Sequence, residues 1–336
     1  MRAWQVNAVG EPADVLQLIE DVELPTPGPG FVRVRVAATG VGLPDLLMCR
    51  DAYALTPPKP FTPGQEAVGV VTAVGQGAHC KIGDRVMGVT AFFIQKGGFA
   101  EQCLMLDDFA LPVPDEMDDG EAAAFSIGFH TAFVGLLRRG ALRAGETLLV
   151  LGAAGGTGQA AVQLGKAVGA RVIAVAGGTD KLEFCRRLGA DETIDYRDQD
   201  IAETARSLTD GNGVDVVWDA VGGDAFVAAT RCIASEGRLL LVGFGSGSWG
   251  QPRAEHMAMN NYSVVGVIPS SYDRDFRLQT QRALVDLWRD EKLRAAVHET
   301  FAFEHVPAAL ELLASRKATG KIVVLGLGPA QKDAAK

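Results

Sequence analysis

Cysteine and histidine are scarce, five of each in 336 residues. Cys49, Cys80, Cys103, Cys185 and Cys232 are odd in number and form no C-x-x-C pair, which excludes a disulfide framework or zinc knuckle and fits a reducing cytoplasm. His79, His130, His256, His298 and His305 follow no ligand spacing and read as structural or surface residues. Positive charge is also short. Lys and Arg number 32 against 41 Asp and Glu, a net charge of −9, so a nucleic-acid backbone is not an expected partner. No long apolar run occurs: the most apolar stretch, Ala122 to Leu137, is too short to span a membrane and carries Ser126 and His130, so it reads as a buried helix. The start, Met-Arg-Ala-Trp, lacks the apolar core and small-residue cleavage site of a signal peptide.

What is abundant is glycine, 40 residues with no collagen-like period, which points to many turns and close backbone approaches. The densest use is Glu146 to Val175, where the apolar run Leu148 to Leu151 breaks at Gly152 and passes through Gly155, Gly156 and Gly158. An alanine-rich amphipathic segment follows and stops at Gly169 before a second apolar run. This predicts strand, tight turn, helix, strand. Bare glycines let a pyrophosphate reach the backbone, and the N–H groups opening the helix meet its charge, so Gly152, Ala154, Gly155, Gly156, Thr157 and Gly158 are candidate dinucleotide contacts. The spacing is G-x-x-G-x-x-G, and it is the flanking strands and helix that lend it weight.

Before this unit, residues 1 to about 111 are rich in strand and turn signals. Phe31 to Ala37 alternates apolar with Arg, Val68 to Val74 is almost all β-branched, and Pro25 to Gly30 marks a loop. From Gly145 on, strands are expected near Thr147 to Leu151, Arg171 to Ala176, Glu192 to Ile194, Val214 to Asp219 and Arg238 to Val242. Helices are expected near Thr157 to Val168, Asp180 to Leu188, Gln199 to Leu208 and Ala225 to Ile233. That alternation predicts an α/β doubly wound parallel sheet with Ser263 to Ile268 at its edge, after which Val297 to Phe303, a helix near Pro307 and Ile322 to Leu325 return the chain to the first domain. The tail Gly328 to Lys336 is expected to fray.

The strings P-T-P-G-P-G-F-V-R-V-R-V, F-T-P-G-Q-E-A-V-G-V-V and K-I-G-D-R-V resemble the medium-chain dehydrogenase/reductase family. So do A-A-A-F-S-I-G-F-H-T-A-F-V-G-L, L-V-L-G-A-A-G-G-T-G, D-A-V-G-G and G-R-L-L-L-V-G-F, and the whole looks like its zinc-independent quinone oxidoreductase branch. The resemblance implies a Rossmann nucleotide domain, residues 123–264, inserted in a mainly β, GroES-like catalytic domain, residues 1–122 and 265–336. The positions matching catalytic zinc ligands hold Gly42, Gln65 and Ile127, and Gly and Ile cannot ligate, so no metal site is expected. Leu43-Pro44-Asp45 departs from the branch, which carries an Asn before this motif. Leu43, Asp45 and Arg50 are expected to line the substrate, and Tyr53, eight residues after Asp45 as in the branch, is the candidate acid.

An NAD site carries an acidic residue at the tip of the second strand. Here the tip is Ala176-Gly177-Gly178-Thr179, with Lys181 following, where a cation could meet a 2′-phosphate. The resemblance adds Tyr196 as a phosphate contact, and Thr131, Val267 and Ile268 as neighbours of the nicotinamide; Gly243 and Phe244 follow a sheet strand, where such folds place ligands. The expected function is NADPH-dependent hydride transfer to a quinone or other α,β-unsaturated carbonyl. Alternatives are an enoyl-thioester reductase, which should show cationic residues rimming the cleft although the sequence does not place Arg50, Arg274 or Arg277 there, and an NADPH-binding protein with little turnover. A cytoplasmic homodimer through the edge strand is expected, because exposed β-branched edges invite pairing.

Overall fold

Alternation in the first part of the chain becomes sheet pairing. Phe31–Val41 and Glu66–Val74 run antiparallel, with Val32, Val34 and Val36 turned to one buried face together with Ala67, Val71, Val86, Cys103 and Met105. In a computed structural model that describes residues 1–326, these strands belong to a seven-stranded sheet. Its order is Val297–Phe301, Lys321–Leu325, Phe31–Val41, Glu66–Val74, Arg85–Val89 and Leu111–Pro112, with Gln102–Leu106 also paired to Phe31–Val41. The chain expected to return after the nucleotide domain therefore does so, as the two strands at one end of this sheet. The expectation for Gly328 to Lys336 falls outside the described residues. A second apolar cluster, including Phe61, Phe92, Phe99, Val306 and Leu310, buries Leu46, Met48 and Cys49 of the short helix Leu43–Cys49. That packing fixes the helix that carries Asp45.

The second sheet has six parallel strands in the order Glu192–Asp195, Arg171–Ala176, Thr147–Leu151, Val214–Asp219, Ile233–Leu241 and Ser263–Gly266. The order reverses at Thr147–Leu151, as in a doubly wound dinucleotide fold. Its central strands, Thr147–Leu151, Arg171–Ala176 and Val214–Asp219, are largely apolar runs, and Leu149, Leu151, Ile173, Val175, Val217 and Leu239 share one buried cluster, as expected for a sheet covered on both faces. The helix read as reaching Ile233 ends at Thr230, because Ile233 already pairs with Val214 as the first residue of a strand.

Among the described residues the chain forms two units: Met1–Ile127, Asp273–Gln281 and 295–326, and Gly128–Tyr272 with Arg282–Arg294. A boundary at 264/265 would cut the edge strand Ser263–Gly266, whose Val265 and Gly266 stand opposite Leu240 and Leu241, so that stretch stays with the second sheet. The apolar segment Ala122 to Leu137 is helical over a longer span, Asp119–Arg139. This helix is long and apolar enough to cross a membrane, but most of it is buried in the protein. Its last part, Phe133–Arg139, is π-helical. A Cβ on Gly135 would lie 2.5 Å from the Trp218 ring, so only glycine admits the indole there.

Candidate active site

The nucleotide cradle is made of backbone. Gly152 turns the chain at φ +68°, and the helix Gly156–Ala167 starts four residues later with Gly155 as its cap. Its first N–H groups have no intrahelical acceptor and are available to an anion. A Cβ on Gly158 would lie 2.1 Å from the Gly152 carbonyl oxygen, and one on Gly128 would lie 3.0 Å from that of Gly156. Thus Gly128 lets the longer helix close on the cradle, and Thr131, buried three residues on, shares that face.

Ala176, Gly177 and Gly178, at the tip of the second strand, bring no carboxylate of their own. Asp195, the nearest acid of the third strand, spends its oxygens on the amides of Gly178 (2.9 Å) and Arg197 (3.1 Å). Those bonds fold Tyr196 and Arg197 back over the tip: a Cβ on Gly177 would lie 2.8 Å from both Arg197 Nε and Tyr196 Cζ, and one on Gly178 2.8 Å from Arg197 Nη1. Tyr196 is 56% exposed, so it is no core aromatic. Lys181 lies in the first turn of the following helix, Thr179–Arg187. Arg197 is the residue that sequence reasoning missed. Its signal was a basic residue just beyond the third strand, next to the tyrosine already singled out.

Gly243 and Phe244 sit on a loop bonded to the end of the Val214–Asp219 strand, through the Gly243 amide to the Asp219 carbonyl at 3.2 Å and the Gly245 amide to that of Ala220 at 3.0 Å. Phe244 stacks on Trp249, centroids 4.7 Å apart. Asp219 is buried, with Oδ1 accepting from Val221 and Gly222; burial raises its pKa and these bonds oppose the rise. Val267 reaches the Gly135 turn, 3.3 Å from a Cβ placed there, whereas Ile268 is largely exposed.

The first unit supplies side chains instead. Asp45 is completely buried, and its oxygens accept from the amides of Gly42, Gly64 and Gln65, each at 2.9 Å. It therefore does not line a substrate; it ties the Gly42 and Gln65 segments together. Burial pushes its pKa up to about 6, against those hydrogen bonds and the charge of Lys321. Next to it, Glu66 is 2% exposed, pairs through Oε1 with Lys321 Nζ, and accepts the Ile127 amide at 2.9 Å. Gly42, Gln65 and Ile127, where zinc ligands would fall, are thus held by two buried carboxylates with one ammonium as counter-charge. Arg50 is already partnered: its guanidinium grips Glu11 at 2.6 and 3.0 Å on the surface. Leu43 packs against the apolar cluster around Phe61.

Tyr53 is half-buried with its ring 6.4 Å from that of Phe92. Gln65 Nε2 donates to its hydroxyl oxygen at 3.2 Å. Burial raises the phenol's pKa, a rise that the donated bond opposes and the charge of Asp45 reinforces, so Tyr53 is a protonated donor at neutral pH. A separate cluster, His79, Asp107 and Asp108, brings its ligand-type atoms within 4.8 Å of one another. Asp107 accepts the His79 and Cys80 amides there, and Arg274 Nε lies 3.8 Å away, so a guanidinium already supplies the positive charge.

Residues 156–287 match the family described as zinc-binding dehydrogenase, and residues 28–115 the alcohol dehydrogenase GroES-like domain. A quinone oxidoreductase-like protein 2 homolog of Nematostella vectensis is 35% identical over 96% of this chain and 88% of its own. The structure of a quinone oxidoreductase from Pseudomonas syringae is 30% identical over 96% of this chain and 99% of its own, with a TM-score of 0.87. A mycobacterial protein complexed with NADPH is 28% identical over 97% and 100%, with a TM-score of 0.89. With two family matches in sequence order, a relative 35% identical over 96% of the chain, a backbone cradle in one unit and non-ligating residues at the metal positions of the other, the chain belongs to the medium-chain dehydrogenase/reductase family, among its zinc-independent, quinone oxidoreductase-like members.

Proposed function

We propose that this protein is an NADPH-dependent reductase of quinones and other α,β-unsaturated carbonyls. The observation that carries the reading is Tyr53, a protonated phenol that shares a polar network with Gln65 and Asp45 where the ligand positions hold Gly42, Gln65 and Ile127. A carbonyl oxygen that gains charge in that setting meets an O–H donor rather than a metal.

When bound, NADPH would supply a hydride. The residues that fit it are Gly152 to Gly158 for the pyrophosphate, Lys181, Tyr196 and Arg197 for the 2′-phosphate, and Thr131, Gly243, Phe244 and Val267 for the nicotinamide end. With the hydride added at the β-carbon of an enone, the π electrons move to the carbonyl oxygen. Tyr53 hydrogen-bonds that oxygen or gives its proton to the α-carbon, and water reprotonates the phenolate. The product is the saturated carbonyl, formed by adding one hydride at the β-carbon and one proton at the α-carbon, two electrons and two protons in all. A quinone needs the acid less, because its reduced form takes protons from solvent.

The thioester alternative gains no support from its cations. Arg50 is held by Glu11, Arg274 lies beside Asp107 and Asp108, and Arg277 covers the Phe109 ring at 3.9 Å. A cytoplasmic homodimer joined through Ser263–Gly266 remains part of this proposal, the strand having one sheet neighbour among the described residues.

The test is a pair of steady-state titrations at saturating NADPH. Tyr53→Phe should lower kcat for a conjugated enone by about tenfold or more, with a much smaller change for a quinone. Equal slowing of both substrates would make Tyr53 a packing residue, and no slowing of either would remove it from the chemistry.

A further inference from the structure

Gln65 is held unusually firmly for a side chain bearer on a loop. Its amide N–H is spent on Asp45 at 2.9 Å, its carbonyl accepts from Thr90 at 2.9 Å, and the preceding Gly64, at φ +98°, is fixed by Asp45 and by the Thr90 hydroxyl at 2.6 Å. A Cβ on Gly64 would lie 2.5 Å from the Phe99 amide, so the turn admits no other residue without moving backbone. Both ends of the Gln65 peptide are therefore pinned, and its carboxamide is presented to one partner, the Tyr53 hydroxyl.

The direction of that bond matters. A phenolic O–H prefers the plane of its ring, on one side of the oxygen or the other, and the oxygen can accept on the opposite side. With Gln65 Nε2 donating from one side, the phenol proton is directed to the other. Among the described residues no acceptor meets that proton. The network thus takes up the acceptor capacity of Tyr53 and leaves its donor unused.

We propose that Gln65 is a positioning residue that keeps the Tyr53 proton turned outward, toward the carbonyl of a bound unsaturated substrate. The inference rests on the reading of Tyr53 as the acid. It assigns Gln65 a function opposite to that of a metal ligand at the same position: it donates to the reacting group's partner rather than lending electrons to an ion. An acceptor in its place would turn the phenol proton inward and remove it from the reaction.

Gln65→Glu makes this testable, because a carboxylate can only accept, whereas a protonated carboxyl can again donate. With a cyclic enone and saturating NADPH, kcat of Gln65→Glu should be about tenfold below wild type near pH 8 and begin to recover toward wild type as pH falls below about 5, where the carboxyl takes up its proton. Wild type should show no such rise. Gln65→Met, neutral and similar in shape, should lose kcat at every pH, and it serves as the test if the charged variant melts prematurely. In the Tyr53→Phe background neither substitution should cost more than about twofold, since the group they position is gone. A Gln65→Glu profile parallel to wild type, or losses of the same size in both backgrounds, would overturn the role of Gln65 alone. Full enone turnover by Tyr53→Phe would instead overturn the acid itself and this inference with it.

Discussion

On the proposed function the two units would hold their ligands with opposite materials. The second presents backbone: glycines at 152, 155, 156 and 158 with an open helix start, where each side chain removed is a contact made possible. The first presents buried side chains, Asp45, Glu66 and Lys321, which clamp Gly42, Gln65 and Ile127 and leave Tyr53 and Gln65 to face outward chemistry. A backbone site tolerates no added atoms but needs no charge balance. A side-chain site tolerates changes of shape but fails when one charge is removed.

The largest effect should therefore come from breaking the charge balance. Lys321→Met leaves Glu66 and Asp45 buried without their ammonium, a loss of about 3–5 kcal/mol. Its pH dependence follows from Asp45, whose folded pKa lies near 6, above its ordinary value. A group raised in this way contributes stability that is complete below its unfolded pKa and is lost as pH rises through the folded one. Without Lys321 the charged form is penalised further, so the deficit against wild type should widen between about pH 4 and pH 7 in denaturant melts. A deficit that does not change over that range would show that the clamp is not electrostatic.

The backbone half is probed by adding one methyl group. Gly158→Ala sets a Cβ 2.1 Å from the Gly152 carbonyl oxygen, a backbone atom that cannot swing aside. Opening the turn should cost about 1–3 kcal/mol, or roughly ten- to a hundredfold in NADPH affinity. Fluorescence titration measures it, and unchanged affinity in a folded variant would mean that the cradle is looser than its contacts imply.

The same contrast decides what could be read from the sequence. The nucleotide unit was legible because its determinants are local: Thr147–Leu151, Arg171–Ala176 and Val214–Asp219 fall where apolar runs and glycine breaks set them. Arg197 escaped because its place depends on Asp195 folding the chain back over Gly177 and Gly178, which no spacing reveals. In the first unit, the loss of zinc ligands was visible at three single positions. What replaced them was not, since Lys321 meets Glu66 across 255 residues and Asp45 meets Gln65 across 20. The same blindness placed Asp45 on the substrate, when it is completely buried, and hid the Glu11 carboxylate that holds Arg50. Tyr53 could be named from its spacing, but only the structure shows Gln65 against its hydroxyl.

The claim on which both halves depend is that the second unit holds NADPH in particular, and the dissociation constants of NADPH and NADH, measured by titration on wild type and Arg197→Ala, test it most directly. One charge-assisted contact to the 2′-phosphate corresponds to about 1.5–3 kcal/mol, so wild type should bind NADPH roughly ten- to a hundredfold more tightly. Arg197→Ala should close most of that gap by weakening NADPH alone, more so at low salt. Equal constants in wild type, or a substitution that weakens both cofactors alike, would contradict the account.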